Sequence, residues 1–136
     1  MRPVEKGHRT DLFKPYAHAV EPLVGAIGRY CSYCEMRVGN SIEVEHVVSL
    51  TNGGDEFNWE NFLLSCKHCN GPSNKGYKVK LRAEYCWPDK DNTFLAINYQ
   101  DNGTAEANPK LNGDQRTIAT NTINLLGLDQ IGRAHV

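Results

Sequence analysis

The stretch 42–50, IEVEHVVSL, places β-branched apolar residues at Ile42, Val44, Val47 and Val48, the pattern of a pleated, half-buried strand. Glu45 and His46 interrupt it, a carboxylate beside an imidazole, with side chains directed to opposite faces of a regular strand. Upstream, FKP and VEPLVGAIGRY read as loop and short helix. Downstream, TNGGDEFNWEN is a polar loop with a Gly-Gly break, after which Trp59, Phe62, Leu63 and Leu64 return the chain to the core. NTFLAINYQDNGTAEAN has the form of a strand pair around an Asn102-Gly103 turn. LNGDQRTIATNTINLLGL predicts a helix: Asn112 caps it with Gln115 three residues on, Ile118, Thr122 and Leu125 share a face, and Gly127 ends it.

These elements fit one domain of 136 residues. No internal repeat or low-complexity segment interrupts them. A formal net charge of −1 gives no global pull toward nucleic acid, so such a partner requires clustered basic residues. A cluster exists: Lys67, Lys75, Lys78, Lys80 and Arg82 lie within sixteen positions. No apolar run is long enough to span a bilayer and the N-terminus lacks a signal-peptide core, so a cytoplasmic location is expected. There cysteines stay reduced, and five of them suit one four-thiolate metal site plus a lone thiol.

The spacing bears this out. CSYC (Cys31, Cys34) and CKHC (Cys66, Cys69) are two knuckles whose sulfurs can turn toward one point, the donor set of a closed, structural zinc site. Cys86 has no such companion and is expected to be a buried thiol. Between and after the knuckles stand Glu45-His46, then Asn61 five positions before Cys66, then Asn70 directly after Cys69.

CSYC, VEHVVSL, NGGDEF, NFLLSC and CKHCNGPSNKG, in that order, resemble the HNH endonuclease family over roughly residues 30 to 76. The resemblance implies an α+β chain with a small ββα-metal, treble-clef-like core stabilised by a four-cysteine zinc site and flanked by helical and strand extensions. Expected bounds are 1–29 for the N-terminal extension, 30–82 for the nuclease core, and 83–129 for a C-terminal extension packing on it. It implies that His46 is the general base, that Glu45 and Asn70 hold one Mg²⁺ or Mn²⁺ beside the scissile phosphate, and that Asn61 braces the loop orienting His46. A local twist or bulge would be needed to bring Glu45 and His46 to one site. Two departures stand out: the acid is Glu where many members carry Asp, and the segment after Cys69 is two residues longer than the common spacing. That length makes Asn74 a rival to Asn70. His68, inside the second knuckle, is a further competing ligand, with a loop position facing solvent or phosphate the preferred reading.

The chemistry is coherent apart from any family. A phosphodiester repels nucleophiles, so hydrolysis needs a cation at the phosphate and a base near neutrality, which an imidazole provides. Lys67, Lys75 and Lys78 are the expected phosphate contacts. DNA is the expected substrate, with RNA open. A non-catalytic zinc-knuckle module binding nucleic acid or protein is the alternative. RYCSYCE and WENFLLSCKHCN also resemble, more loosely, HNH nucleases found beside AAA-type ATPases in anti-phage and retron systems, which implies a defence role and an ATPase partner.

The last six residues, IGRAHV, translate a common sequencing-adapter string (ATC GGA AGA GCA CAC GTC). The expectation is that 130–136 is a non-native tail and that the natural protein continues past Asp129. Arg133 and His135 are therefore set aside.

Overall fold

A computed structural model describes residues 1–130; the IGRAHV tail lies outside them. A short helix, α1 (Val20–Ile27), leads to the first cysteine knuckle. Strand β1 (Glu43–His46) follows and pairs antiparallel with β2 (Phe62–Ser65). The register sets Glu43 opposite Ser65, Val44 opposite Leu64, Glu45 opposite Leu63 and His46 opposite Phe62. Helix α2 (Lys67–Asn70) starts directly after β2 and carries the second knuckle. Hairpin plus helix is the expected ββα core.

The strand is shorter than the alternation suggested. After His46 the chain leaves the ladder, and Leu50–Asn52 form a 3₁₀ turn closed by Gly53 at φ 87°. Asn61, by bonding to Val48, provides the pairing that a longer strand would have found in its neighbour.

The C-terminal part follows the reading with one change. Strands β3 (Ile97–Tyr99) and β4 (Ala105–Ala107) form the hairpin around Asn102-Gly103. Thr93–Ala96, expected as strand, is instead a helical turn, α3, because Asn92 Oδ1 accepts from the Leu95 amide. Helix α4 (Gly113–Leu126) has the capping box of Asn112 and Gln115, and Gly127 at φ 64° closes it.

One core runs through all of these elements, with Leu23, Tyr33, Trp59, Phe62, Leu64, Trp87 and Leu126 among its most buried members. The N-terminal segment closes over β2. Lys6 Nζ donates to the carbonyls of Trp59 (2.6 Å) and Phe62 (2.7 Å) and lies 3.6 Å from Asp89, which also accepts from Arg82 at 2.7 Å. Val4 N donates to Pro88 O at 2.7 Å, and Trp59 Nε1 to Gly7 O at 3.0 Å. Cys86 is a buried thiol donating to Thr122 Oγ1 at 3.4 Å, and burial pushes it up.

Candidate active site

The two knuckles converge. The first is a tight turn in which Cys31 N donates to Met36 O and Glu35 N to Cys31 O, with Glu35 in the left-handed region at φ 65°. In the second, Cys66 caps α2 and its sulfur accepts from the Cys69 amide at 3.4 Å. The four sulfurs lie within 4.8 Å of one another and are all buried. Cys34 Sγ and Cys66 Sγ are 3.8 Å apart, and a tetrahedron with Zn–S bonds of about 2.3 Å has edges of about 3.8 Å. Four buried thiolates at this spacing repel one another, so the set requires a cation among them. The donor set fits a structural zinc.

His46 sits at the end of β1 with its ring edge-on to Tyr16 (4.5 Å between centroids) and Phe62 (5.5 Å). Its Nε2 is 2.9 Å from Glu56 O. A carbonyl only accepts, so Nε2 carries the proton and the Nδ1 lone pair is the basic site. Asn61 secures the loop that supplies this carbonyl. Its Oδ1 accepts from Val48 N (2.9 Å), and its Nδ2 donates to Val48 O (3.0 Å) and Asp55 O (2.9 Å). Gly54 lets the loop approach this closely: a Cβ there would overlap Val48 O and come within 3.0 Å of Asn61 Nδ2.

Glu45 points away from His46, as regular strand geometry dictates, and no bulge intervenes. Its carboxyl group is fully buried, accepting from the Tyr33 hydroxyl and paired with the Lys75 ammonium. Burial raises the Glu45 carboxyl, with Lys75 the main opposing influence, and burial beside Glu45 pushes the Tyr33 phenol up. Asn70 does not reach Glu45; its Nδ2 donates to Glu43 Oε1 at 3.3 Å. Asn74 is buried, donating to His68 O at 2.8 Å, and its Oδ1 lies against Gly127. His68 is exposed. The structure therefore ties Asn61 to the loop that carries the His46 partner, and gives Glu45, Asn70 and Asn74 different partners: Lys75 and Tyr33, Glu43, and the His68 carbonyl.

Lys75 requires a correction. Expected at a phosphate, it is fully buried, with Nζ donating to His46 O at 2.9 Å. Lys67, Lys78 and Lys80 are exposed, while Arg82 is bound to Asp89. Sequence reasoning also missed Tyr16, Tyr33, Gly54 and the Glu56 carbonyl as parts of the site. Only Gly54 carried a signal, in the Gly-Gly pair.

Residues 31–76, from the first knuckle cysteine to the glycine after Lys75, match the family model described as HNH endonuclease. This segment is similar to the HNH endonuclease family. No curated protein matches the chain. Within the matched segment fall both knuckles, β1, β2, α2, His46 and Asn61. Tyr16, whose ring borders His46, comes from outside it. Among the described residues, no helix is long and apolar enough to cross a membrane.

Proposed function

We propose that the chain is an endonuclease that hydrolyses DNA phosphodiester bonds with His46 as general base. The observation that carries this reading is the bond from His46 Nε2–H to Glu56 O, which in the neutral ring assigns the lone pair to Nδ1 on a half-exposed imidazole. In the reaction a water gives a proton to Nδ1, its oxygen bonds to phosphorus, and the P–O bond to the departing sugar oxygen breaks. Asn61 acts on the loop and not on substrate, so it is a positioning residue.

Lys67, Lys78 and Lys80 are the proposed phosphate contacts. Lys78 and Lys80 follow Tyr77, which is 74% exposed, on a strap held to the loop after His46. Asn52 Nδ2 donates to Tyr77 O (2.7 Å) and Val79 O (3.1 Å), and Ser49 Oγ to Tyr77 O (3.2 Å). Fixed cations beside an exposed ring suit a nucleic-acid backbone and its bases.

An HNH centre of this kind is expected to need Mg²⁺ or Mn²⁺ for cleavage. The engagement of Glu45 by Lys75 and Tyr33, and of Asn70 by Glu43, favours a second reading, a zinc module that binds nucleic acid or protein without cutting. His46→Ala separates the two. The nuclease reading requires that Mg²⁺- or Mn²⁺-dependent cleavage disappears while zinc content and melting temperature stay unchanged. Wild-type protein that binds DNA but never cuts it supports the module. A place beside an AAA-type ATPase in phage defence rests on the looser resemblance of RYCSYCE and WENFLLSCKHCN, and co-purification tests it.

A further inference from the structure

We propose that Glu45 and Lys75 form an internal charge pair that positions the main chain of His46, and that Glu45 is not a ligand of the catalytic cation. The role for His46 rests on the nuclease reading; the charge pair and its exclusion of metal do not.

Glu45 Oε2 accepts from the Tyr33 hydroxyl, while Oε1 has no hydrogen-bond donor and is matched only by the charge of the Lys75 ammonium beside it. The residue is 1% exposed. Mg²⁺ retains several waters and needs room for them, whereas this carboxyl group is closed off from solvent. A divalent ion there would also have to displace Lys75. That ammonium is 0% exposed, 6.0 Å from the Trp87 ring centroid, and its other partner is a single carbonyl. Removing one member of such a pair leaves a buried charge unmatched, a strongly destabilising change.

The pair acts on His46 through the peptide unit that joins it to Val47. Lys75 Nζ holds the oxygen of that unit at 2.9 Å, and Asn61 O holds its N–H, on Val47, at 2.9 Å. The plane is thus gripped on both edges. With Glu56 O on Nε2, the imidazole is fixed at its backbone and at its tip, so Nδ1 is aimed in one direction. Glu45 supplies the charge that makes a buried ammonium tolerable at this point. Its place next to His46 in sequence is therefore explained without a shared ligand set: the two side chains serve opposite faces, and the carbonyl of His46 links them.

The test compares wild type with Glu45→Gln, Lys75→Met and the double variant. Four quantities are read: melting temperature, Mn²⁺ affinity by the electron paramagnetic resonance of the free ion with a DNA duplex present, the kcat and KM of cleavage, and the NMR signal of the His46 Nε2–H. The pair predicts that Lys75→Met and Glu45→Gln each melt lower than the double variant, in which both charges are gone. It predicts Mn²⁺ affinity within about twofold of wild type in Glu45→Gln. In the double variant kcat should fall about tenfold or more at unchanged KM, and the His46 Nε2–H signal should shift or broaden.

A tenfold or greater loss of Mn²⁺ affinity in Glu45→Gln would make it a ligand and overturn the proposal. So would additive losses of stability, or a double variant with wild-type kcat and an unmoved His46 signal. A wild-type protein that cuts no DNA refutes the nuclease reading alone; the melting temperatures and the NMR signal still decide whether the pair holds His46.

Discussion

Asn61 and Val48 are bonded in both directions: the side-chain oxygen of Asn61 accepts from the amide of Val48, and its nitrogen donates to the carbonyl of the same residue. This is the exchange that two strand residues make with their backbones, performed here by one side chain. It lets the chain leave the ladder after His46 and still be held. The third bond, to Asp55 O, secures the residue before the carbonyl that binds the His46 ring.

Asn61→Ala removes all three bonds and leaves buried backbone groups unmatched, at about 1–3 kcal/mol each where water cannot replace the partner. The melting temperature should fall and kcat should drop about 100-fold, as expected for a misplaced base. Asn61→Asp is the sharper variant, because a carboxylate accepts from Val48 N and cannot donate to Val48 O or Asp55 O. Wild-type turnover in Asn61→Asp would refute the brace.

Gly54→Ala should act on the same element from outside. The added methyl overlaps Val48 O and crowds Asn61 Nδ2, so the loop must move and carry Glu56 O with it. The expected result is a folded, zinc-loaded protein with kcat lowered at least tenfold and DNA affinity retained. Gly53→Ala disturbs a φ of 87° but meets nothing within 4 Å; its loss of turnover should be smaller. Equal losses in the two variants would count against the clash as the cause.

Zinc removal should unfold the chain. The site joins two knuckles separated by β1, β2 and the intervening loop, and its binding free energy, on the order of 10 kcal/mol, is folding free energy. Chelation should release one zinc per chain together with the loss of near-ultraviolet circular dichroism, and Cys66→Ser should reproduce it. A well-folded, zinc-free Cys66→Ser protein would contradict the assignment.

Replacing Lys78 and Lys80 together by Ala should weaken DNA binding for all sequences alike. The slope of log affinity against log salt should become less negative by about 2, close to one for each phosphate no longer neutralised. An unchanged slope would remove the strap from the DNA surface. Lys67→Ala should change the slope by about 1.

Lys6 gives a prediction in pH. Burial, opposed by Asp89, lowers its ammonium from 10.5 to about 8. Between about pH 8 and 10.5 the folded chain has released a proton that the unfolded chain keeps, so this group adds stability as pH rises through that window; below it, burying the charge is a constant cost. Melting temperature measured across pH 7.5–10 should rise relative to Lys6→Met. Parallel curves for the two proteins would refute the shift.

The parts of the site legible in the sequence are those whose chemistry depends on side-chain type at short spacing. Two cysteines three positions apart can do little but share a metal, and the Asn112–Gln115 pair marks a helix start by the bonds it can make. The nearness of Asn61 to the loop around His46 was legible because their order among the knuckles was informative. Lys75 was not. In NKGYKVK it reads as one of several solvated lysines, and its burial depends on Tyr33, Trp87 and Glu45 closing round it from distant parts of the chain. The Glu56 carbonyl was illegible for a different reason: every residue has one, and only the path of the loop aims it at an imidazole. The extended reading of Thr93–Ala96 failed because the cap supplied by Asn92 outweighed the apolar character of Phe94 and Leu95.

Lys6 satisfies two carbonyls, at Trp59 and Phe62, that stand inside the segment matching the HNH family, yet it lies outside that segment, as do Asp89 and Arg82 that complete its surroundings. The matched segment is therefore not a portable cassette. Transplanted into another scaffold as residues 31–76, it would carry its zinc and its histidine but lose the donor that seals the entry into β2, and the ring of Tyr16 beside the imidazole. A working graft has to bring the arm that begins at Met1 and the stretch around Trp87 along with it.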